Sequence, residues 1–165
     1  MERVKSLLGR TKSNAQTAPH LALGQLGESL AKRYLRKHKY RIVVTNLKMR
    51  LGRGITGQPI SGEIDIVAYD DNVLCFVEVK TRTSIEIAPP EAAVTMAKQR
   101  QIVRTAKRYR QMLGLIGEPF RYDVVSVVMT DPKSPEIELK RGYFSEENLR
   151  KRAFAWESEP HDSYW

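Results

Sequence analysis

At 165 residues, 41% of them hydrophobic, the chain is long enough for one domain with a sizeable core and too short for two of ordinary size. A single cysteine, Cys75, excludes a disulfide framework and a zinc site built from several thiolates, and neither a run of ~18 apolar residues nor a secretory apolar centre is present, so a cytoplasmic protein with no membrane partner is expected. The net charge of +9 points to a polyanionic partner such as nucleic acid, and the acidic stretch 61–92 lies between two basic flanks.

Residues 1–19 are polar and aperiodic and read as a flexible basic tail, 20–145 as the domain, and 146–165 as a short helix with a polar tail. From Leu21 to about His38, Leu23, Leu26, Leu30, Tyr34 and Leu35 recur at helical spacing. The β-branched run Tyr40–Asn46 predicts a strand, and the glycines and proline of 52–61 predict a loop. Gly62–Tyr69 alternates polar and apolar, turns at Asp70-Asp71-Asn72, and returns as the strand Val73–Thr81. After Pro89-Pro90 a helix is predicted from about Glu91 to Leu113. Val94, Ala97, Ile102, Ala106, Tyr109 and Leu113 form its apolar line, and Arg100, Arg104, Lys107 and Arg108 its basic one. Tyr122–Met129 predicts a buried strand and Ile137–Phe144 one more. The order helix, strand, strand, strand, helix, strand implies an α/β fold, a mixed central sheet flanked by helices.

The strand Val73–Lys80 is apolar on both faces for five residues and then carries Glu78 and Lys80, two apart and so on one face. A Glu/Lys pair at an edge is ordinarily solvated and contributes under ~1 kcal/mol. Here it ends an apolar strand, with a second acidic strand across a short turn. Alternation places Glu63 and Asp65 on one face of that second strand and Ile64 and Ile66 on the other. Where that face is the one Glu78 shares, Asp65 and Glu78 converge. Two such carboxylates raise each other's pKa unless a cation neutralises them, and hard oxygen ligands suit Mg2+ or Mn2+. The reaction class implied is metal-assisted phosphodiester hydrolysis, with Lys80 orienting water or steadying the pentacovalent state. Lys98 and Gln99, at the start of the long helix, are candidates to approach the scissile phosphate, and Arg100, Arg104, Lys107 and Arg108 to hold backbone phosphates. His20, His38 and His161 do not cluster, and no Ser-His-Asp set, Cys-His pair or P-loop is present.

Asp65, twelve intervening residues and then Glu78-Val79-Lys80 resemble the core motif of the PD-(D/E)XK, restriction-endonuclease-like nuclease superfamily. More narrowly, Leu26-Gly27-Glu28 with Ala31, Gly62-Glu63-Ile64-Asp65, Phe76 to Arg82, Lys98-Gln99-Arg100 and Tyr122-Asp123-Val124-Val125 are similar to the YraN-like bacterial family, over about residues 21–130. The resemblance implies a restriction-endonuclease-like αβββαβ core. It also implies Asp65 and Glu78 as metal ligands, the Val79 carbonyl as a third, Lys80 as the catalytic lysine, and Glu28 as an acid reaching the metal directly or through water. Archaeal-type Holliday-junction resolvases share this layout, so branched DNA is an implied substrate class. Ile64 stands where many superfamily members carry proline, and 52–61 reads as an insertion, neutral loop growth before a flap.

The sequence therefore leads to a Mg2+- or Mn2+-dependent endonuclease-like enzyme acting on nucleic acid, DNA before RNA, with a homodimer possible. The alternative is a non-catalytic nucleic-acid-binding protein that keeps the nuclease fold.

Overall fold

The computed structural model describes residues 14–83, 94–131 and 133–151. The elements run α1 (Asn14–Lys37), β1 (Arg41–Arg53), β2 (Pro59–Asp70), β3 (Val73–Arg82), α2 (Met96–Met112), β4 (Phe120–Val128) and β5 (Glu136–Phe144), with helical turns over 146–151. The first six reproduce the expected αβββαβ order. One sheet of five strands has the spatial order β1-β2-β3-β4-β5, parallel between β3 and β4 and antiparallel elsewhere. α1 covers one face and α2 the other. Among the described residues, no helix is long and apolar enough to cross a membrane.

Each helix seats itself through small residues. Gly27, Ala31 and Leu35, four apart, are the buried line of α1, while Leu26, expected on that line, is 49% exposed. A Cβ on Gly27 would overlap the Thr81 side chain, so glycine lets α1 lie directly on the end of β3. On the α1 side Ala31, Leu35, Ile66, Val77, Val79 and Val125 close one apolar cluster. On the α2 side Phe76, Ile102, Ala106, Tyr109, Tyr122 and Phe144 close the other, where Tyr122 and Phe144 stack with ring centroids 4.8 Å apart.

The structure corrects four sequence expectations. The tail expected over 1–19 is helical from Asn14 on, and 1–13 lie outside the described residues. The helix expected from Glu91 begins at Met96, with Glu91 also outside them; Ala97 is exposed and Leu113 is 50% exposed. The loop expected over 52–61 shrinks to a turn at 54–58 with strand on either side, because β1 and β2 stay paired out to Arg53 opposite Pro59. Finally, alternation in β2 breaks at Asp65: Ile64 packs on the α2 side and Ile66 on the α1 side. The β1–β2 pairing omits Asn46 and Asp65, passing from Thr45–Ile66 to Leu47–Ile64, and Asn46 takes the left-handed φ of 52° that asparagine tolerates.

Candidate active site

The break at Asp65 opens the sheet at one point. Pairing of β2 with β3 runs from Asp70–Val73 to Ile66–Val77 and ends, whereas β3 continues beside β4 to Arg82. Beyond Val77 the β2 side of β3 has lost its partner strand, and an unpaired backbone amide away from water is costly. Asp65 fills the opening: its Oδ2 accepts from the Val79 N–H at 2.7 Å. In a strand the N–H and C=O of one residue point to the same side, so the Val79 carbonyl faces this opening too. The Val79 side chain is buried in the cluster beneath α1.

Glu78 projects from the α2 face of β3 and is 3% exposed. Its Oε1 accepts from Lys80 Nζ at 2.9 Å, and Lys98 Nζ lies 3.2 Å from its Oε2. The second contact lacks hydrogen-bond geometry, so Oε2 is a buried carboxylate oxygen with no hydrogen bond among the described residues. Lys98 sits in the first turn of α2, where Thr95 caps by accepting from the Lys98 N–H at 3.3 Å and no acid is present. A cation there opposes the helix dipole. Its pairing with Glu78 offsets that cost and carries the lysine to the site.

Asp65 and Glu78 interact. Burial first, then the Glu78 charge, push the Asp65 carboxyl up to about 7, with Glu28 adding to the rise and the Val79 N–H and Lys98 opposing it. Glu28, half-buried on α1 beside Gly27, is thus close enough to act on Asp65 through its charge. Glu63 instead faces Lys48 on β1 at 3.8 Å. Among the described residues no three His, Cys, Asp or Glu side chains gather as a metal cluster. The donor set is therefore two carboxylates and a carbonyl, with Glu28 behind. It is an all-oxygen set, and its Glu78 Oε2, buried with only the Lys98 ammonium against it, is the kind of atom a hard divalent cation satisfies.

The other candidates divide. Arg100, Arg104, Lys107 and Arg108 are exposed along α2, with Lys107 paired to Glu146 at 2.8 Å. Gln99 is not on that face: it is buried and donates its amide to the Val94 carbonyl at 2.8 Å, because its position in the helix points at the sheet. His38 is exposed and bonded to the Tyr34 carbonyl, and His161 lies outside the described residues.

Two features escaped the sequence reading. One is the pairing of Lys98 with Glu78, which only the docking of α2 creates. The other is a polar network at the far end of the sheet, where Arg121 donates to both oxygens of fully buried Asp123 at 2.9 and 3.0 Å and to the Tyr40 hydroxyl at 2.6 Å, and also binds Asp70. The signal for it was an aspartate inside an apolar strand with an arginine two residues before.

Residues 27–127 match the model of a family described as uncharacterised protein family UPF0102. A UPF0102 protein of Geotalea uraniireducens is 40% identical over 121 residues, 73% of this chain and 87% of that protein. One of Geobacter metallireducens is 42% identical over 117 residues, 71% of this chain and 87% of that protein. A solved structure from Eubacterium rectale, described as a putative exonuclease, superposes with a TM-score of 0.41 at 14% identity, covering 81% of this chain and about half (48%) of that one. A likeness that distant carries no argument about activity.

Proposed function

From the premise that this chain belongs to the UPF0102 family, we propose that it is a metal-dependent nuclease that hydrolyses phosphodiester bonds in DNA, branched or otherwise structured DNA included. The observation that supports this reading is the meeting of Asp65 and Glu78 at an opening in the sheet, with one buried carboxylate oxygen of Glu78 that faces the Lys98 ammonium but accepts no hydrogen bond among the described residues.

Asp65, Glu78 and the Val79 carbonyl would hold Mg2+ or Mn2+, with Glu28 supporting them. A cation bound there supplies Lewis-acid charge to the scissile phosphate. The remaining work falls to the chain's own side chains. Lys80 is one third exposed beside Glu78 and, as the ammonium that donates to it, can orient an attacking water, while Lys98 places positive charge where the pentacovalent phosphorus gathers negative charge. As the water oxygen bonds to phosphorus it gives up a proton to solvent, the ester P–O bond breaks, and the departing oxygen takes a proton back from solvent.

One observation favours the rival reading, a non-catalytic nucleic-acid-binding protein: Lys80 and Lys98 already neutralise Glu78. Linear, flapped and four-way DNA incubated with and without Mg2+ or Mn2+ separates the two. Cleavage is expected only with metal, and roughly 100-fold or more of it should disappear in Asp65→Asn, Glu78→Gln and Lys80→Met. Undiminished cleavage by either carboxylate variant refutes the site. DNA binding that ignores both metal and these substitutions, with no cleavage of any substrate, establishes the rival.

A further inference from the structure

The paired extension of β1 and β2 carries cations that the site does not use. Beyond Arg50 the two strands close through a turn in which the Gly54 N–H donates to the Gln58 carbonyl at 2.8 Å and the Gly57 N–H to the Gly54 carbonyl at 2.9 Å. This hairpin is fastened to α2. Gln101 donates its amide to the Ser61 carbonyl at 3.3 Å, and buried Thr105 sits against Gly62, where a Cβ would overlap its hydroxyl.

Between hairpin and helix opens a cleft of about 680 Å3 with Arg50 and Arg53 on the strand wall and Arg104, Lys107 and Arg108 on the helix wall. No acid is among the described residues lining it. Lys107 is held by Glu146 outside the cleft wall, and Arg53 donates to the Gly57 carbonyl at 3.3 Å. Arg50, Arg104 and Arg108 enter no ion pair among the described residues. Like charges gathered in this way are unfavourable until an anion joins them. From Lys98 at the site to Arg108 the helix advances about 15 Å at ~1.5 Å per residue, the rise of four to five phosphates on one strand of B-form DNA at ~3.4 Å each. That length fits a polymer better than a mononucleotide.

We propose that the cleft between the β1–β2 hairpin and α2 is a groove for a nucleic-acid backbone that leads to the Asp65–Glu78 opening, with Arg50 and Arg53 as its outer wall. The choice of DNA as occupant rests on the nuclease reading; the groove itself does not.

The test is fluorescence anisotropy of labelled duplex and four-way DNA with the full chain, in EDTA so that nothing is cleaved, across a salt series. Arg50→Glu/Arg53→Glu should weaken binding roughly tenfold or more and reduce the magnitude of the log–log salt slope by about two, close to one per lost phosphate contact. Arg33→Glu/Arg36→Glu, exposed on α1 across the sheet, makes the same change in net charge and should shift binding far less. Arg50→Gln/Arg53→Gln, gentler on strand pairing, should show a smaller loss of the same sign. Equal losses in the two charge-reversed proteins, or no loss at the hairpin, overturn the groove. A wild type that holds polyglutamate more tightly than DNA overturns nucleic acid as its occupant. Binding with these properties alongside absent cleavage in both Mg2+ and Mn2+ would end the nuclease reading and leave the groove in place.

Discussion

Asp65 carries two duties that conflict. Its carboxylate replaces a missing β2 partner for the Val79 amide, yet it stands buried beside Glu78, so the folded protein holds its proton up to about 7 where an ordinary aspartate loses it near 3.8. Between those values the folded chain binds more protons than the unfolded one, and stability falls as pH rises. Below about 4 both states are protonated and the penalty is gone; above 7 both are ionised and it is fully present. Asp65→Asn keeps an oxygen to accept from Val79 and removes the charge. Its melting temperature should exceed that of the wild type at pH 8, by an amount corresponding to roughly 1–2 kcal/mol, with the gap closing as pH is lowered to 4. A gap of constant size over that range would show that ionisation of Asp65 is not its source. Stability gained by disabling a site is the usual mark of a functional group held against its preference.

At the level of elements, the site depends on where strands stop pairing and how closely helices approach. Much of that was readable. The apolar run 73–77 marked the central strand, the Asp/Glu/Lys spacing placed three charges at its end, and helical periodicity gave both helices. The break in alternation at Asn46 and Asp65 was not readable, because strict period-two reading assigns Ile64 and Ile66 to one face and nothing local announces that an asparagine and an aspartate drop out of the pairing together. The strand extension was hidden for a related reason: glycines and a proline ordinarily end strands, and here they fill only a turn and its flanks. Gly62 was visible as part of a motif, but its purpose emerges from packing. Thr105, anchored by its bond to the Gln101 carbonyl at 2.8 Å, occupies the space a Cβ would need. Gly62→Ala should therefore cost about 1–3 kcal/mol by denaturant titration, and Thr105→Ala in the same chain should restore part of it by vacating that space. Equal stability of Gly62→Ala and wild type would mean that α2 does not depend on this approach.

Over the whole molecule, the candidate site and a buried ionic network occupy opposite ends of one sheet. Register along β3 places Cys75 beside Arg121 and Lys80 beside Ser126, so the Arg121 network and the candidate site lie about 16 Å apart at ~3.3 Å per residue. The two ends treat their carboxylates in opposite ways. At the site burial and a neighbouring carboxylate raise Asp65, whereas the hydrogen bond from Arg121 holds Asp70 below the ordinary carboxylate range. Asp70 thus contributes stability that is present above its unfolded pKa and is lost as pH falls through its lowered folded value. Fully buried Asp123 has the Gly142 N–H at 2.8 Å and Arg121 as its partners, so removing the arginine strands a charge in the core. Arg121→Met should destabilise the fold by about 3–5 kcal/mol in urea titration, the range found when one member of a buried pair is deleted. Arg121→Met with Asp123→Asn should recover much of the loss, since no charge is then stranded. Because the opening at Asp65 lies beyond the reach of these contacts, the double variant, assayed at a temperature where it is folded, should keep the DNA affinity and salt slope of the wild type. A double variant that folds but binds DNA tenfold more weakly would mean that the far end of the sheet sets the geometry of the near one.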